Sequence, residues 1–368
     1  MTSLPEHYID TPEDLVSYLD ELTDGGTHHP DWCAIDTEAD SMHSYETKLC
    51  LIQFAVKDSL AIFDPLAIQQ PEIQPLLDFL DQVDVVWMHG ADYDMSMFRR
   101  TYDWIPRCVW DTQTAARLLG VEQFGLANLL DQEFGVKVSK QSQKADWSRR
   151  PLTEKMQDYA YNDVRYLLEM ARRFIDRLKE KGRFEWFIES CEAAQTLAAE
   201  REEKTDKDQW RITGWGNLDR RGLAFLRALW KWRDDECRRL DRPAFKLVSN
   251  AEIVSLSEKL QAGEKVDPPP YLRPGIARRL LKTVTETRNL DPSEYPVKHR
   301  RTGGIRLQID EDRLQSLKSH RNRQAKQLGI DPTLIAPRMV LERLASSNLE
   351  QEQKDGLLLG WQRELMGL

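Results

Sequence analysis

Apolar residues are distributed in two regimes along the chain. In the first part they come in short runs bounded by turn residues, at 32–36, 49–56, 60–64, 83–88 and 108–110. Runs of this length, rich in β-branched and aromatic residues, predict buried strands. Helical spacing covers 8–24 (opened by Thr11-Pro12-Glu13-Asp14), 73–80, 92–100, 114–119, 126–134 and 153–179. Three early strands followed by alternating helix and strand predict an α/β domain with a mixed sheet. A charged stretch at 200–209 reads as a linker, and beyond it the pattern is purely helical: 218–240, 251–260 and 275–285, the last two separated by a proline-rich break at 266–271. A second helical group runs from Asp310 to Leu365, with Leu328-Gly329-Ile330-Asp331-Pro332 as a C-cap glycine and turn. Each group has a long basic helix, an aspartate-proline turn and shorter helices, a weak internal repeat.

The length of 368 residues exceeds one ordinary core and predicts two or three domains. A composition 40% hydrophobic and 31% charged is globular. No apolar stretch reaches the roughly 18 residues of a membrane span, and the first residues lack the basic-then-apolar pattern of a signal peptide. The five cysteines (Cys33, Cys50, Cys108, Cys191, Cys237) are scattered without C-x-x-C spacing, which predicts buried thiols in a reducing cytoplasm and no zinc site. The net charge of −9 argues against a nucleic-acid partner until it is divided. Residues 210–300 carry about +7, the remaining tail about +2 and the first 209 residues about −18. An acidic module joined to a basic one suits metal-dependent chemistry in the first and phosphate binding in the second.

Candidate chemistry sits in the acidic module. Asp36 and Glu38 end the first buried run, and side chains at i and i+2 of a strand share a face. Two carboxylates so placed repel unless a cation compensates. Tyr159 and Asp163, at i and i+4 of a helical segment, lie one above the other, and Asp94 follows another apolar run. Acids gathered from strand ends and helix starts form the kind of cage that hard divalent cations take. Asp111, before Thr112-Gln113-Thr114, reads as a helix N-cap in preference to a ligand. Asp40, Asp92 and Asp103 are further acids that their positions alone do not rule out.

Taken in order, Ile35-Asp36-Thr37-Glu38, then His89-Gly90-Ala91-Asp92-Tyr93-Asp94-Met95, then Tyr159-Ala160-Tyr161-Asn162-Asp163 resemble the DEDDy 3′–5′ exonucleases, and within them the ribonuclease D family. Lys140-Gln141-Ser142-Gln143-Lys144-Ala145-Asp146-Trp147, with Arg149-Arg150-Pro151-Leu152 beyond, is similar to that family's lysine-rich approach to an Asp-Trp-x-x-Arg-Pro-Leu signature; Ala145 departs from it where serine is usual. The segment 223–240 with Asp241-Arg242-Pro243 resembles the opening of an HRDC domain, and the final helical group resembles a divergent second copy.

The resemblance implies an RNase H-like domain (1–205), a mixed sheet flanked by helices, followed by one or two all-α HRDC-like domains (210–292 and 293–368). It implies two divalent ions, Mg²⁺ or Mn²⁺, with Asp36 bridging them, Glu38 and Asp163 completing one site and Asp94 holding the other. Tyr159 would orient the attacking water, because a phenol of reference pKa about 10 is too weak a base to deprotonate it unaided. The implied substrate is RNA with a single-stranded 3′ end, tRNA precursors foremost, cut to nucleoside 5′-monophosphates; no membrane or protein partner is implied. Thr37 (through its backbone) and His89 are expected to line the pocket for the terminal base. Lys137, Lys140, Lys144, Arg149 and Arg150 are expected to hold upstream phosphates. Arg220, Arg221, Arg238, Arg239, Arg278, Arg279, Lys282, Lys318, Arg321, Arg323 and Lys326 are expected to do so from the helical groups. The rival readings are a DNA exonuclease of the same superfamily and a binding scaffold with a dead site; the second would show a lost carboxylate, and none is lost here.

Overall fold

The structure is a computed structural model that describes residues 4–138, 142–201, 209–298 and 307–368. It divides into two compact units: one drawn from 1–39, 49–201 and 305–368, the other from 40–48 and 202–304.

The first unit is built on a six-stranded sheet of order β1-β4-β3-β2-β5-β6. Its strands are β1 (Glu6–Ile9), β2 (Trp32–Ala39), β3 (Leu49–Val56), β4 (Ser59–Phe63), β5 (Val85–Met88) and β6 (Val109–Asp111). β2, β3 and β4 form an antiparallel meander, while β1 on one edge and β5 and β6 on the other run parallel to their neighbours. Both faces are covered, so the central strands are largely apolar, and β3 and β4 are buried throughout. Alternation assigns Cys33, Ile35, Ile52, Phe54, Val86 and Met88 to one core, beneath α1 (Pro12–Leu22), α2 (Gln74–Leu80) and α3 (Asp92–Tyr102). Ala34, Leu51, Ala55, Val85 and Trp87 go to the other core, beneath α4 (Thr112–Leu118), α5 (Leu126–Phe134), α6 (Glu154–Arg165), α7 (Leu167–Glu180) and α8 (Phe184–Glu200).

Two elements differ from the sequence expectation. The start of the expected helix 8–24 is instead β1, an edge strand aligned with β4 and tied to it by the Tyr8 hydroxyl donating to Asp64 (2.6 Å). The expected single helix 153–179 is two, because the backbone leaves helical geometry at Tyr166 (φ −107°, ψ −5°) between α6, which lies on β3 and β4, and α7, which lies on α4.

The final helices, α12 (Glu311–Leu328), α13 (Pro332–Ile335), α14 (Arg338–Leu344), α15 (Gln351–Asp355) and α16 (Gly360–Met366), were expected as a separate domain from 293; they share the second core of the sheet. The buried Arg183 guanidinium donates to the Leu118 carbonyl (2.6 Å) and the Leu328 carbonyl (2.7 Å), holding the C-termini of α4 and α12 side by side. Trp186 and Trp361 stack at 5.1 Å, and Glu189 accepts from the free N–H groups of Gly360 and Trp361 at the start of α16. At Gly120 a side chain would collide with the Gly329 carbonyl.

The second unit packs α9 (Arg220–Leu240), α10 (Asn250–Gln261) and α11 (Pro274–Arg288) around Trp210, Leu223, Leu226, Ile253 and Leu280. Ser249 and Glu252 form a capping box on α10. The β2–β3 connection, 40–48, belongs to this unit: the Tyr45 hydroxyl donates to Asp234 (2.7 Å), its N–H donates to Asp241 (3.0 Å) and Arg238 lies over its ring. Among the described residues no helix is long and apolar enough to cross a membrane.

Candidate active site

The alternation of β2 determines the site. Asp36 and Glu38 follow Ala34 on the face beneath α6, where Asp163 comes down from the helix. Asp36, Glu38 and Asp163 each offer a carboxylate oxygen within 4.8 Å of the others. Thr37 points to the opposite face, beneath α3, and its hydroxyl donates to Asp94 (2.5 Å). Asp94 thereby sits apart from the trio yet close enough to be felt by Asp36 and Glu38. Four acids separated by up to 127 positions thus converge at the end of one strand.

The turn before α3 depends on Asp111. Its carboxylate caps α4 by accepting from Gln113 N–H (2.7 Å) and also accepts from Gly90 N–H (2.8 Å), so it holds the loop that starts the Asp94 helix and is no ligand. Gly90 has φ +74°, a conformation that disfavours any side chain. His89 Nδ1 lies 2.9 Å from the Thr112 hydroxyl, which itself donates to the Met88 carbonyl (3.1 Å). Nδ1 therefore carries the proton, and burial lowers the imidazole pKa and keeps the ring neutral. Its Nε2 is buried without a hydrogen-bond partner.

Tyr159 hydrogen-bonds Asp163 one helical turn away, and its ring rests against buried Trp147 (5.9 Å). The Asp-Trp-x-x-Arg-Pro-Leu segment supports this tyrosine. Asp146 accepts from the Ser148 hydroxyl (2.6 Å), Trp147 packs beneath Tyr159 and Leu152 enters the core. Arg150, expected to hold a substrate phosphate, has every nitrogen committed to the protein: to Asp64, to the Cys50 carbonyl (2.8 Å) and to the Trp147 carbonyl (2.7 Å). It is a clamp between the signature loop and the sheet. The position was visible in the sequence; its partner Asp64, 86 positions away, was not. Ala145 packs against the core.

Of the other expected positions, Lys140 lies outside the described residues. Asp40 closes the 40–48 loop by accepting from the Ser44 hydroxyl (2.5 Å) and Lys48 N–H (2.7 Å), Asp92 faces Arg201 and Asp103 is the left-handed cap of α3. Arg239 and Arg279 are held by Glu236, Arg220 by the Pro292 and Tyr295 carbonyls, and buried Arg321 by the Ala336 carbonyl. Arg278, Lys318 and Lys326 are exposed.

Burial is the first cause of the acids' raised pKa values, and repulsion between them adds to it; at Asp163 the Tyr159 hydrogen bond opposes both. Asp36 and Asp94 are held well above the carboxylate range, Glu38 is pushed up to about 10 and Asp163 to about 7. Tyr159 is raised by burial and by the acids facing it. Among the described residues no Lys, Arg or His forms an ion pair with Asp36, Glu38, Asp94 or Asp163. An uncompensated set of hard oxygen donors fits a divalent cation.

A pH signature follows. A carboxyl of folded pKa about 7 and unfolded pKa near 4 binds more protons in the folded state between those values, so its contribution to metal-free stability is full below pH 4 and is lost as pH rises through 7. Cation and proton compete for the same oxygens. The gain in Tm on adding Mg²⁺ to EDTA-treated protein should therefore grow between pH 5 and pH 8, and an equal gain at both ends would show that the cluster does not hold the ion.

A sheet whose end gathers these acids, followed by a small helical unit, defines a 3′–5′ exonuclease with an appended HRDC module. Residues 7–179 match the family model described as a 3′–5′ exonuclease, and residues 222–265 match the HRDC domain. The chain is 29% identical to the ribonuclease D of Granulibacter bethesdensis, over 91% of this chain and 85% of that one, and 29% identical to the ribonuclease D of Gluconacetobacter diazotrophicus, over 98% and 90%. The chain is thus similar to ribonuclease D proteins over nearly its whole length. The crystal structure of Escherichia coli ribonuclease D superimposes with a TM-score of 0.70, covering 98% of this chain and 96% of that one at 24% identity, which establishes the shared fold.

Proposed function

We infer that the protein is a metal-dependent 3′–5′ exoribonuclease that removes nucleoside 5′-monophosphates one at a time from the single-stranded 3′ ends of structured RNA, tRNA precursors in particular. The observation that carries this is the convergence of Asp36, Glu38 and Asp163, with Asp94 beside them, into a buried and uncompensated anionic cage under Tyr159. Asp36, Glu38 and Asp163 would hold one Mg²⁺ or Mn²⁺, and Asp94, oriented by Thr37, would share a second with Asp36. Bound there, the ions would lower the pKa of water and neutralise charge on the scissile phosphate.

The chain's own residues do the rest. Tyr159, kept protonated by burial and by the acids around it, orients the nucleophile through its hydroxyl, and Trp147 packs against its ring. His89 offers a neutral Nε2 acceptor to a donor of the terminal nucleotide. The Thr37 backbone remains a candidate contact for that nucleotide, while its hydroxyl serves Asp94. Upstream phosphates fall to Lys140 and neighbouring lysines, with Arg278, Lys318 and Lys326 as exposed helical contacts; Arg150 is withdrawn from that role. Residues 307–368, a long helix followed by shorter ones, are read here as the divergent HRDC copy. The setting we propose is the cytoplasm.

The test is a time course on 5′-labelled single-stranded RNA and DNA of one sequence, in Mg²⁺, Mn²⁺ and EDTA. A one-nucleotide ladder on RNA that is silent in EDTA is expected. A ladder on DNA alone would replace the reading with a DNA exonuclease, and binding without cleavage would replace it with a scaffold. Tyr159→Phe should slow the single-turnover step about 100-fold with little change in RNA affinity; weaker binding at unchanged single-turnover rate would make Tyr159 a substrate contact.

A further inference from the structure

A second feature of the nuclease unit has no part in this chemistry. A cleft of about 450 Å³, in the size range of small-molecule sites, opens beside α6 and α7, and none of Asp36, Glu38 and Asp163 lines it. Its apolar wall is Ala55 and Val56 at the end of β3, with Leu168 and Leu4. Asn162, Arg165, Glu169 and Arg172 line it from the helices, spaced three or four residues apart as one stripe, and Tyr166 lies among them. Lys57, in the β3–β4 turn, completes the lining.

This lining has the complement of a nucleotide. Three cationic groups, Lys57, Arg165 and Arg172, stand at one cleft in a module whose net charge is about −18. Arg165 is held by Glu6 and by Asn162 Oδ1 (3.2 Å), which fixes its position. Arg172 is only loosely engaged, 3.9 Å from Glu169 and over the Trp32 ring, and Lys57 has no ionic partner among the described residues. A phosphate fits these two cations. The Asn162 amide N–H₂ and the apolar wall suit the edge and face of a base, and the Glu169 carboxylate, shared with Arg173 (3.1 Å), is an acceptor for ribose hydroxyls.

We propose that this cleft is a second nucleotide site, distinct from the acid cluster, which takes one nucleotide as base, ribose and phosphate together. The choice of ligand rests on the exoribonuclease reading, since each cycle leaves a free nucleoside 5′-monophosphate and a shortened strand, and either source presents the same chemistry.

The test is equilibrium binding to the full-length protein in EDTA, which silences metal-dependent binding at the acids. The probes are adenosine 5′-monophosphate, inorganic phosphate and a five-nucleotide RNA. Lys57→Glu and Arg172→Glu, both at exposed side chains, are compared with wild type after their Tm values are matched. Each substitution should weaken mononucleotide binding about tenfold and leave the cleavage rate of a short RNA unchanged. Tighter binding of the mononucleotide than of the RNA would identify released product as the occupant; the reverse would identify a nucleotide of the strand. Unchanged affinity in both variants, or inorganic phosphate binding as well as the mononucleotide, would overturn the site. Binding lost in the variants of a protein that cuts no RNA would uphold the site and remove the exoribonuclease reading instead.

Discussion

Asp36→Asn should separate activity from stability in opposite directions. Nucleotide release should fall about 10⁴-fold, a rise of about 5.4 kcal/mol in barrier height, because Asp36 shares the cage with Glu38 and Asp163. In EDTA the same substitution should raise Tm. Burial and the like charges around it lift the pKa of Asp36 and those of Glu38 and Asp94, and no cation among the described residues forms an ion pair with them. Removing one carboxylate relieves that repulsion; if the relief is about 1 kcal/mol, it shifts the transition of a unit this size by about 2–4 °C. The comparison is made by single-turnover cleavage in Mg²⁺ and by calorimetry in EDTA. A variant within tenfold of wild-type activity would remove Asp36 from the site. A variant that loses activity and also melts lower in EDTA would show that the carboxylate supports the fold, and its loss of activity would then say nothing about metal.

This arrangement explains which parts of the site were legible in the sequence. Two-residue periodicity put Asp36 and Glu38 on one face with no knowledge of what covers it, and four-residue periodicity did the same for Tyr159 and Asp163. Such local rules hold wherever the element forms. The same periodicity implies that Thr37 faces away, and only the packing of α3 beneath that face shows that its hydroxyl serves Asp94. Arg150 was misjudged because an arginine's role is decided by partners in space: Asp64 lies on the far side of the meander in sequence and beside Arg150 in the fold. The short strand β1 was hidden because four residues next to a strong helix start carry too little pattern to outweigh it. The break at Tyr166 was hidden because both halves continue one amphipathic repeat.

The domain division is where sequence and structure diverge with the largest consequence. Two helical groups of similar outline, following a charged linker, invite a truncation near residue 210 as the way to isolate the nuclease. The structure predicts that this truncation destroys it. Trp361, Ile335, Leu341, Leu344 and Met366 are buried in the same core as Trp87, Leu118 and Phe187 of the sheet and its helices. At about 1.5–3 kcal/mol for each large side chain, their removal forfeits an amount comparable with the whole stability of a domain, about 5–15 kcal/mol. It also removes the Leu328 carbonyl from Arg183, leaving a buried guanidinium facing one carbonyl instead of two. A chain ending at residue 306 should therefore be insoluble or lack a cooperative transition, and Trp361→Ala alone should cost about 3–5 kcal/mol. Replacing 209–298 by a flexible linker, with 307–368 retained, should leave a cooperatively melting nuclease, because that segment belongs to the other core. If the chain ending at 306 melts as wild type does, the final helices are an independent domain after all. If the excision fails while the truncation folds, the assignment of cores is reversed. The salt dependence of RNA binding attributable to the HRDC module is then measured on the excision, since a truncation near residue 210 removes the module and the nuclease core together.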